Sequence, residues 1–219
     1  ATEYVFDGTS PPYSPSDRRN PVNVYAQTKS DGEDALMEAT KGDCAVLRVG
    51  VLYGEVEKIG ESSVTALARS VFPRTKEGTK ADHWQTRYPL HVVDVSRAIG
   101  GLITARAALG RDAAGVFHCG GEEAFTKYEL ALVIADVLQV QIPKGHLIAD
   151  TTEPSLSQAT ARPKDTRLSN AALMELLARA GANLPPHTPV RDGLEAVLRK
   201  LIPAAALRPP PPRSEAAGA

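Results

Sequence analysis

Residues 44–53 constrain the fold of this chain more than any other stretch. They read Cys-Ala-Val-Leu-Arg-Val-Gly-Val-Leu-Tyr, nearly continuous in apolar residues, and they are bounded by Asp43 and Gly54. Such a run is typical of a strand in the middle of a parallel sheet, where both faces are covered. A helical pattern over residues 24–39 precedes it. A helix followed by a buried strand is half of a β-α-β crossover, which predicts an α/β fold with a parallel sheet.

Further segments fit the same fold class. Residues 3–8 resemble the tail of a strand, whereas residues 72–90 and 143–168 are mostly polar and predict loops. Thr126 and Glu129 have the spacing of a capping box, in which each side chain satisfies a backbone N–H at the start of a helix. The remaining predicted elements are a strand over 116–119 and helices over 63–71, 91–109, 126–138, 170–180 and 190–201.

Composition excludes several classes of protein. The 219 residues carry 25 basic and 26 acidic side chains, so a general nucleic-acid-binding role is not expected. No apolar run approaches the 18 residues that a membrane span needs. The two cysteines, Cys44 and Cys119, exclude a disulfide scaffold and favour a reducing compartment, so we expect a cytoplasmic protein. The five histidines show no metal-ligand spacing, and no metal site is predicted.

The chemically most informative residues are Tyr25 and Lys29. They lie four apart at the start of the helix predicted over 24–39, so both side chains project from one face. A phenol beside an ammonium group can act as a general acid or base toward an alcohol or carbonyl. Thr2, at the end of the preceding strand, is the candidate for hydrogen-bonding the substrate oxygen. The alternative is an exposed tyrosine with a solvated lysine, because the bare spacing has low specificity.

Three motifs around these residues resemble the extended short-chain dehydrogenase/reductase superfamily, and more narrowly its dTDP-4-dehydrorhamnose reductase-like branch. They are T-E-Y-V-F-D-G-T from residue 2, N-V-Y-x-x-T-K-x-x-G-E from residue 23 and L-R-x-x-x-L-Y-G from residue 47. The resemblance implies a Rossmann-like fold and NADP as cofactor. By motif, Thr2, Tyr25 and Lys29 match the catalytic set of the superfamily. Tyr25, Lys29 and Leu52 match cofactor-binding positions, with Leu52 beside the nicotinamide.

Four other stretches are more similar to the family of regulatory (beta) subunits of methionine adenosyltransferase. They are residues 52–58, 82–95, 115–137 and 161–170. This resemblance implies a non-catalytic subunit that binds the catalytic subunit and modulates S-adenosylmethionine synthesis, without using the Thr2/Tyr25/Lys29 set for turnover. The alternative is an NADPH-dependent reductase of a nucleotide-linked keto-sugar, with Tyr25 as proton donor. A truncated product with neither activity is the third possibility.

The resemblance also divides the chain. Residues 1–60 are expected to be the remaining part of an NAD(P)-binding Rossmann-like domain. Residues 61–201 are expected to form a substrate-type α/β domain that also completes the Rossmann-like sheet. Residues 202–219, rich in Ala and Pro, predict a flexible tail. The sequence contains no glycine-rich phosphate-binding loop, so we expect a fragment of a longer protein that does not bind NADP usefully on its own.

Two single residues carry further expectations. Arg48 lies inside the buried strand predicted over 44–53, where an unpaired charge costs several kcal/mol, so it requires a carboxylate partner that the sequence does not identify. Trp84, the one tryptophan of the chain, is either a packing anchor or a contact for a partner or ligand.

Overall fold

The structure is a computed structural model that describes residues 1–72, 78–154 and 161–202. The flexible tail predicted over 202–219 therefore lies outside the described residues from position 203 onward. In these three ranges no helix combines the length and the apolar character that crossing a bilayer requires.

Helices and short parallel strands alternate along the described chain. The helices are α1 (Val24–Ala39), α2 (Val92–Leu109), α3 (Lys127–Val137), α4 (Ala171–Arg179) and α5 (Val190–Leu201). The strands are β1 (Ala45–Val49), β2 (Leu52–Tyr53), β3 (Thr79–Asp82), β4 (Leu90–His91), β5 (Gly115–Cys119) and β6 (Leu147–Asp150). Three 3₁₀ helices complete the set, at Glu3–Val5, Thr65–Ser70 and Gly110–Ala113.

Parallel pairing dominates the architecture, as predicted. β1 runs parallel to β5, in a register that pairs Ala45 with Gly115 and Val49 with Cys119. Thr2 forms a further parallel bridge to Val49. Three parallel segments therefore end close together, and their carboxyl ends share one edge.

The strand predicted over 44–53 is interrupted at Gly50. A Cβ atom on this residue would lie 2.9 Å from the carbonyl oxygen of Tyr88 and 2.7 Å from Oε2 of Glu3. Beyond the break the chain changes partner, because β2 pairs with β4 rather than with β5. A continuous apolar run thus contains two strands, and the close backbone approach at Gly50 separates them.

The prediction of a strand tail over residues 3–8 is wrong. The side chain of Thr2 accepts a hydrogen bond from the backbone N–H of Tyr4, and the N–H of Phe6 donates to the carbonyl of Glu3. The chain therefore turns into a 3₁₀ helix directly after Thr2. Val5 and Phe6 then bury their side chains in a cluster with Tyr13 and Leu168 instead of extending a strand.

The loops predicted over 72–90 and 143–168 contain strands that the sequence pattern does not reveal. β3 and β6 pair in parallel, with Thr79 opposite Leu147 and Asp82 opposite Asp150. Both strands have only four residues and include polar ones, so they give no clear alternation. Their stability depends on pairing across nearly 70 residues of chain, which local patterns cannot show.

The core consists mainly of two apolar clusters in which helices pack against strands or against one another. α2 and α4 pack against one face of β1 and β5, with Phe117, Leu102 and Leu177 among the buried residues. α3 and α5 form the second cluster together with the Thr65–Ser70 helix. The predicted capping box of α3 is confirmed, because Thr126 and Glu129 each hydrogen-bond the other's backbone N–H.

The opposite face of β1 holds a buried ion pair. Arg48 on β1 and Glu33 on α1 are 3% and 5% exposed, and their Nη2 and Oε2 atoms lie 2.7 Å apart. Nε of Arg48 adds a second bond of 2.9 Å to Oε1 of Glu33. Glu33 is thus the carboxylate partner that Arg48 requires. Arg19 also reaches Glu33, at 3.3 Å, and fixes the preceding loop to the same pair.

His118 on β5 lies beside this ion pair. Its Nε2 atom is 3.3 Å from Nη1 of Arg48, and its Nδ1 atom is 3.2 Å from the carbonyl oxygen of Tyr13. Burial, and then the positive charge of Arg48, lower the pKa of His118 to about 4. The imidazole is therefore neutral at pH 7, and Arg48 is paired with the carboxylate of Glu33 rather than with His118.

Removal of the Glu33 charge is expected to destabilise the fold strongly. Glu33→Gln leaves Arg48 buried without a counter-ion, which typically costs about 3–5 kcal/mol. The matched control is Asp34→Asn, which removes the other, exposed carboxylate bound to Arg19 and should cost no more than about 1 kcal/mol. Urea unfolding of the two variants measures the difference, and equal losses of stability would contradict the assignment.

Candidate functional site

A cavity of about 860 Å³ extends along β1 to its carboxyl end and lies against α1. In open parallel sheets, ligands bind outside the carboxyl ends of the strands. All four residues that the sequence analysis selected, Thr2, Tyr25, Lys29 and Leu52, line this cavity. They come from three separate parts of the chain, because Tyr25 and Lys29 both lie on α1. The fold therefore brings the predicted set together.

The start of α1 determines where Tyr25 and Lys29 point. The side chain of Asn23 accepts a hydrogen bond of 2.8 Å from the N–H of Ala26 and so caps the helix. Its amide nitrogen also donates to the carbonyl of Ala161, at 2.7 Å, which ties the helix start to a distant loop. Tyr25 and Lys29 then lie one turn apart on the cavity side, which agrees with their spacing.

The phenol of Tyr25 is accessible to a ligand. Its side chain is 54% exposed, and the Nζ atom of Lys29 lies 5.6 Å from the centre of its ring. The ring of Tyr4 meets it edge-on, with the ring centroids 6.2 Å apart. Tyr25 thus has both an aromatic ring and a cation beside it, and it lines the cavity.

Thr2 and Leu52 form the wall at the strand ends. The Thr2 hydroxyl accepts from the N–H of Tyr4 at 3.3 Å, and its own O–H can still donate to a ligand. Leu52 is 36% exposed and offers an apolar surface at the start of β2. The cavity therefore combines an alcohol, a phenol and an ammonium group with an apolar wall, a set that suits a polar ring-shaped ligand.

Glu3 is a cavity residue that the sequence analysis did not select. It is 4% exposed, yet it lines the cavity directly beside Thr2. Burial raises the pKa of Glu3 to about 8; the charge of Arg87 opposes this shift and that of Asp165 adds to it. The one sequence feature that points to Glu3 is its position between Thr2 and the apolar residues Val5 and Phe6, which indicates a buried carboxyl group.

One part of the cavity wall is basic. Arg87, Lys127 and Arg162 all line it. Arg87 is buried, with Nη1 3.0 Å from Oδ2 of Asp82. Burial, together with the charges of Arg87 and Arg162, lowers the pKa of Lys127. These cations lie close enough to repel one another, so this wall favours the negatively charged part of a ligand.

Trp84 lies outside the set of cavity-lining residues. Its indole is half-buried, and the Nζ atom of Lys164 lies 5.9 Å from its ring centre. Oδ1 of Asp82 accepts hydrogen bonds from the backbone N–H groups of Trp84 and Gln85, which fixes this turn. Asp82 therefore holds this turn in place, and part of Trp84 stays exposed. No group of three or more metal-ligating side chains occurs in the parts of the chain that the structure describes.

The parallel sheet, the α1 helix and the cavity at the strand ends define an α/β protein with a Rossmann-like fold of the short-chain dehydrogenase/reductase type. The family described as RmlD substrate binding domain matches residues 1–201. The chain therefore belongs to this family.

Comparison with curated proteins shows a strong similarity to one kind of relative. Methionine adenosyltransferase 2 subunit beta of Mus musculus is 40% identical over 198 residues, which cover 90% of this chain and 55% of the relative. The chain thus spans about half the length of these curated relatives.

Solved structures agree on the fold. A dTDP-4-dehydrorhamnose reductase from Clostridium acetobutylicum superposes with a TM-score of 0.70 at 25% identity, over 92% of this chain and 64% of that one. The same enzyme from Bacillus anthracis, in complex with NADP, gives a TM-score of 0.69 at 22% identity, over 91% and 63% of the two chains. These likenesses confirm the predicted Rossmann-like architecture.

Glu3 is expected to make stability depend on pH in an unusual direction. Its pKa is about 8 in the folded state against an ordinary value of 4.5, so stability is lost as the pH rises from 4.5 through 8. Glu3→Gln removes this loss and should stabilise the fold by on the order of 2–4 kcal/mol at pH 8, with little effect at pH 4.5.

Thermal unfolding at the two pH values tests this expectation. Glu38→Gln, which changes an exposed carboxylate on α1, is the matched control and should leave the midpoint unchanged at both. A Glu3→Gln effect of equal size at pH 4.5 and pH 8 would argue against the raised pKa.

Proposed function

We propose that this chain acts as a cytoplasmic, non-catalytic regulatory subunit of methionine adenosyltransferase, which binds the catalytic subunit and modulates S-adenosylmethionine synthesis. The observation that carries the proposal is the 40% identity to methionine adenosyltransferase 2 subunit beta over 90% of the chain. One of the stretches that resemble this subunit contains Trp84, which is half-buried and does not itself line the cavity. A surface aromatic anchor of this kind suits contact with a partner protein.

The cavity supports NADP as the ligand of the proposed subunit. The exposed Tyr25 phenol and the Lys29 ammonium group fit the ribose and carboxamide of the nicotinamide half, and Leu52 offers a surface for its ring. In its reduced form, NADPH, this cofactor would supply a hydride to a carbonyl group, a step that the proposed regulatory subunit does not use. The sequence contains no glycine-rich turn for the pyrophosphate, so we expect no useful affinity of this chain alone for the whole dinucleotide.

We also consider reductase activity on a nucleotide-linked keto-sugar as the second candidate function. Its support is the presence of Thr2, Tyr25 and Lys29 in one cavity, together with the fold shared with dTDP-4-dehydrorhamnose reductases. In this case the Tyr25 phenol donates a proton to the substrate oxygen, and the Thr2 hydroxyl hydrogen-bonds the same oxygen. Lys29 stabilises the resulting phenolate through its charge. Fold likeness alone does not distinguish the two functions.

A paired assay separates the two functions through Tyr25→Phe. Methionine adenosyltransferase kinetics are measured with the wild-type and variant proteins, beside NADPH oxidation in the presence of a dTDP-4-keto-sugar. The assays use both this chain and the longest natural protein that contains it. For a regulator no proton moves at Tyr25, so both proteins should change the kinetics of the catalytic subunit alike, and neither should oxidise NADPH.

Two results of these assays would contradict the regulatory function. A reductase should lose about 10²–10⁴-fold in rate when its proton-donating phenol is removed. Rapid NADPH oxidation by the wild-type protein that disappears in Tyr25→Phe would therefore favour the reductase. Wild-type protein without any effect on methionine adenosyltransferase kinetics would exclude the regulatory function.

A further inference from the structure

The carboxyl group of Glu3 occupies an unusual position for an acid. Its side chain is 4% exposed and belongs to the wall of the cavity, between the cavity-lining residues Thr2 and Tyr4. Gly50 lies directly against it, since a Cβ atom at that position would come within 2.7 Å of Oε2 of Glu3. The absence of a side chain at residue 50 thus makes the space that the carboxyl group fills.

The hydrogen-bonding capacity of this carboxyl group is not used by the described part of the chain. Residues 1–72, 78–154 and 161–202 provide neither a hydrogen bond nor an ion pair to its oxygens. Arg87, the nearest cation acting on it, directs its guanidinium to Asp82 and Gln85 instead. In the described ranges, the fully buried side-chain atoms that lack a hydrogen bond are the Tyr53 hydroxyl and Nδ1 of His187, so the Glu3 oxygens are not sealed off in this way. Because Glu3 and its neighbour Gly50 both line the cavity, a ligand there is a natural partner for the carboxyl group.

We propose that Glu3 is a further ligand-binding residue of the cavity, and that its carboxyl group donates a hydrogen bond to an uncharged oxygen of the ligand that Tyr25 and Lys29 hold. The proposal rests on the proposed function for the identity of that ligand. Gly50, which contacts Glu3, is two residues from Leu52, so the carboxyl group lies near the wall that fits the nicotinamide half. Carboxamide and ribose oxygens are the acceptors that this half offers.

The protonation state supports a donor rather than an acceptor. Burial raises the pKa of Glu3 to about 8, so the group is mostly neutral at pH 7 and carries a proton to donate. Above pH 8 it becomes a carboxylate, which repels an acceptor oxygen. Ligand affinity should therefore fall as the pH rises through about 8.

Other groups that titrate or carry charge also face this part of the cavity. Arg87 and Asp165 act on Glu3 directly, and the pKa of Tyr88 behind it is raised by burial first and then by the charge of Asp165. Burial lowers the pKa of Lys127, which belongs to the basic part of the cavity wall, and the pKa of the Ala1 amino group. A pH profile of the wild-type protein alone is therefore not sufficient, and the test requires a variant that removes only the Glu3 titration.

The probe is β-nicotinamide mononucleotide, whose binding does not depend on a glycine-rich turn for the pyrophosphate. Dissociation constants at pH 7 and pH 9 are measured by NMR titration of the wild-type chain and of Glu3→Gln, Glu3→Met and Lys29→Met. Folding of each variant is verified from its amide spectrum. Glu3→Gln keeps a donor of the same shape without an ionisable proton, whereas Glu3→Met keeps the size but removes the donor.

We expect the wild-type affinity to fall roughly tenfold from pH 7 to pH 9, because a pKa near 8 leaves about a tenth of Glu3 protonated at pH 9. Glu3→Gln should bind as the wild type does at pH 7 and lose this dependence, whereas Glu3→Met should bind several-fold more weakly at both pH values. If Glu3→Gln keeps the tenfold fall, or Glu3→Met binds like the wild type, the proposal is overturned. If Lys29→Met loses binding while both Glu3 variants bind as the wild type does, the role of Glu3 is overturned and the ligand site at Tyr25 and Lys29 is retained. The absence of saturable binding by the wild type overturns this proposal and the assignment of the nicotinamide half to the cavity, whereas the regulatory function is tested separately by the methionine adenosyltransferase kinetics.

Discussion

The ion pair between Arg48 and Glu33 determines the orientation of the helix that carries the site. Tyr25, Lys29 and Glu33 follow one another at intervals of four along α1, so their side chains form a slowly turning stripe on one face. Glu33 is held to β1 by two bonds from Arg48, at 2.7 and 2.9 Å. Because a helix rotates as a rigid body, anchoring Glu33 to the sheet also directs Tyr25 and Lys29 toward the strand ends. The buried charge pair thus contributes geometry as well as stability.

Gly50 is the second determinant of the cavity. It interrupts the apolar run at the point where the sheet changes partner, and the space left by its missing side chain is filled by Glu3. A larger residue at this point would meet both the Glu3 carboxyl group and the Tyr88 carbonyl. The strand break, the buried acid and the exposed Leu52 are therefore one feature, since all three depend on the close approach of two backbone segments.

The sequence patterns correctly predicted the helices and strands that are stabilised by interactions between residues close together in the chain. The periodicity and the capping residues gave α1 and α3 correctly, and the apolar run gave the parallel class of the sheet. The patterns did not predict β3 and β6, or the 3₁₀ turn at Glu3–Val5, because these depend on distant pairing and on the burial of Val5 and Phe6. In the site, spacing selected Tyr25 and Lys29, the hydroxyl at the predicted strand end selected Thr2, and the family resemblance supplied Leu52. None of these approaches found Glu3, whose role depends on Gly50 nearly fifty residues away.

Trp84, the partner contact that we propose, does not line the cavity, which bears on how the proposed regulatory subunit would use a ligand. A bound cofactor influences association with a catalytic subunit only if it binds the free and the associated forms with different affinity. The coupling is reciprocal, so the catalytic subunit must change the affinity for the ligand by the same factor. α1 is the structural element through which such coupling can act, because it carries Tyr25 and Lys29 at one end and is held to the sheet by Glu33 further along. A shift of this helix alters the cavity and the buried ion pair together, whereas a rigid helix leaves the ligand without influence on the partner.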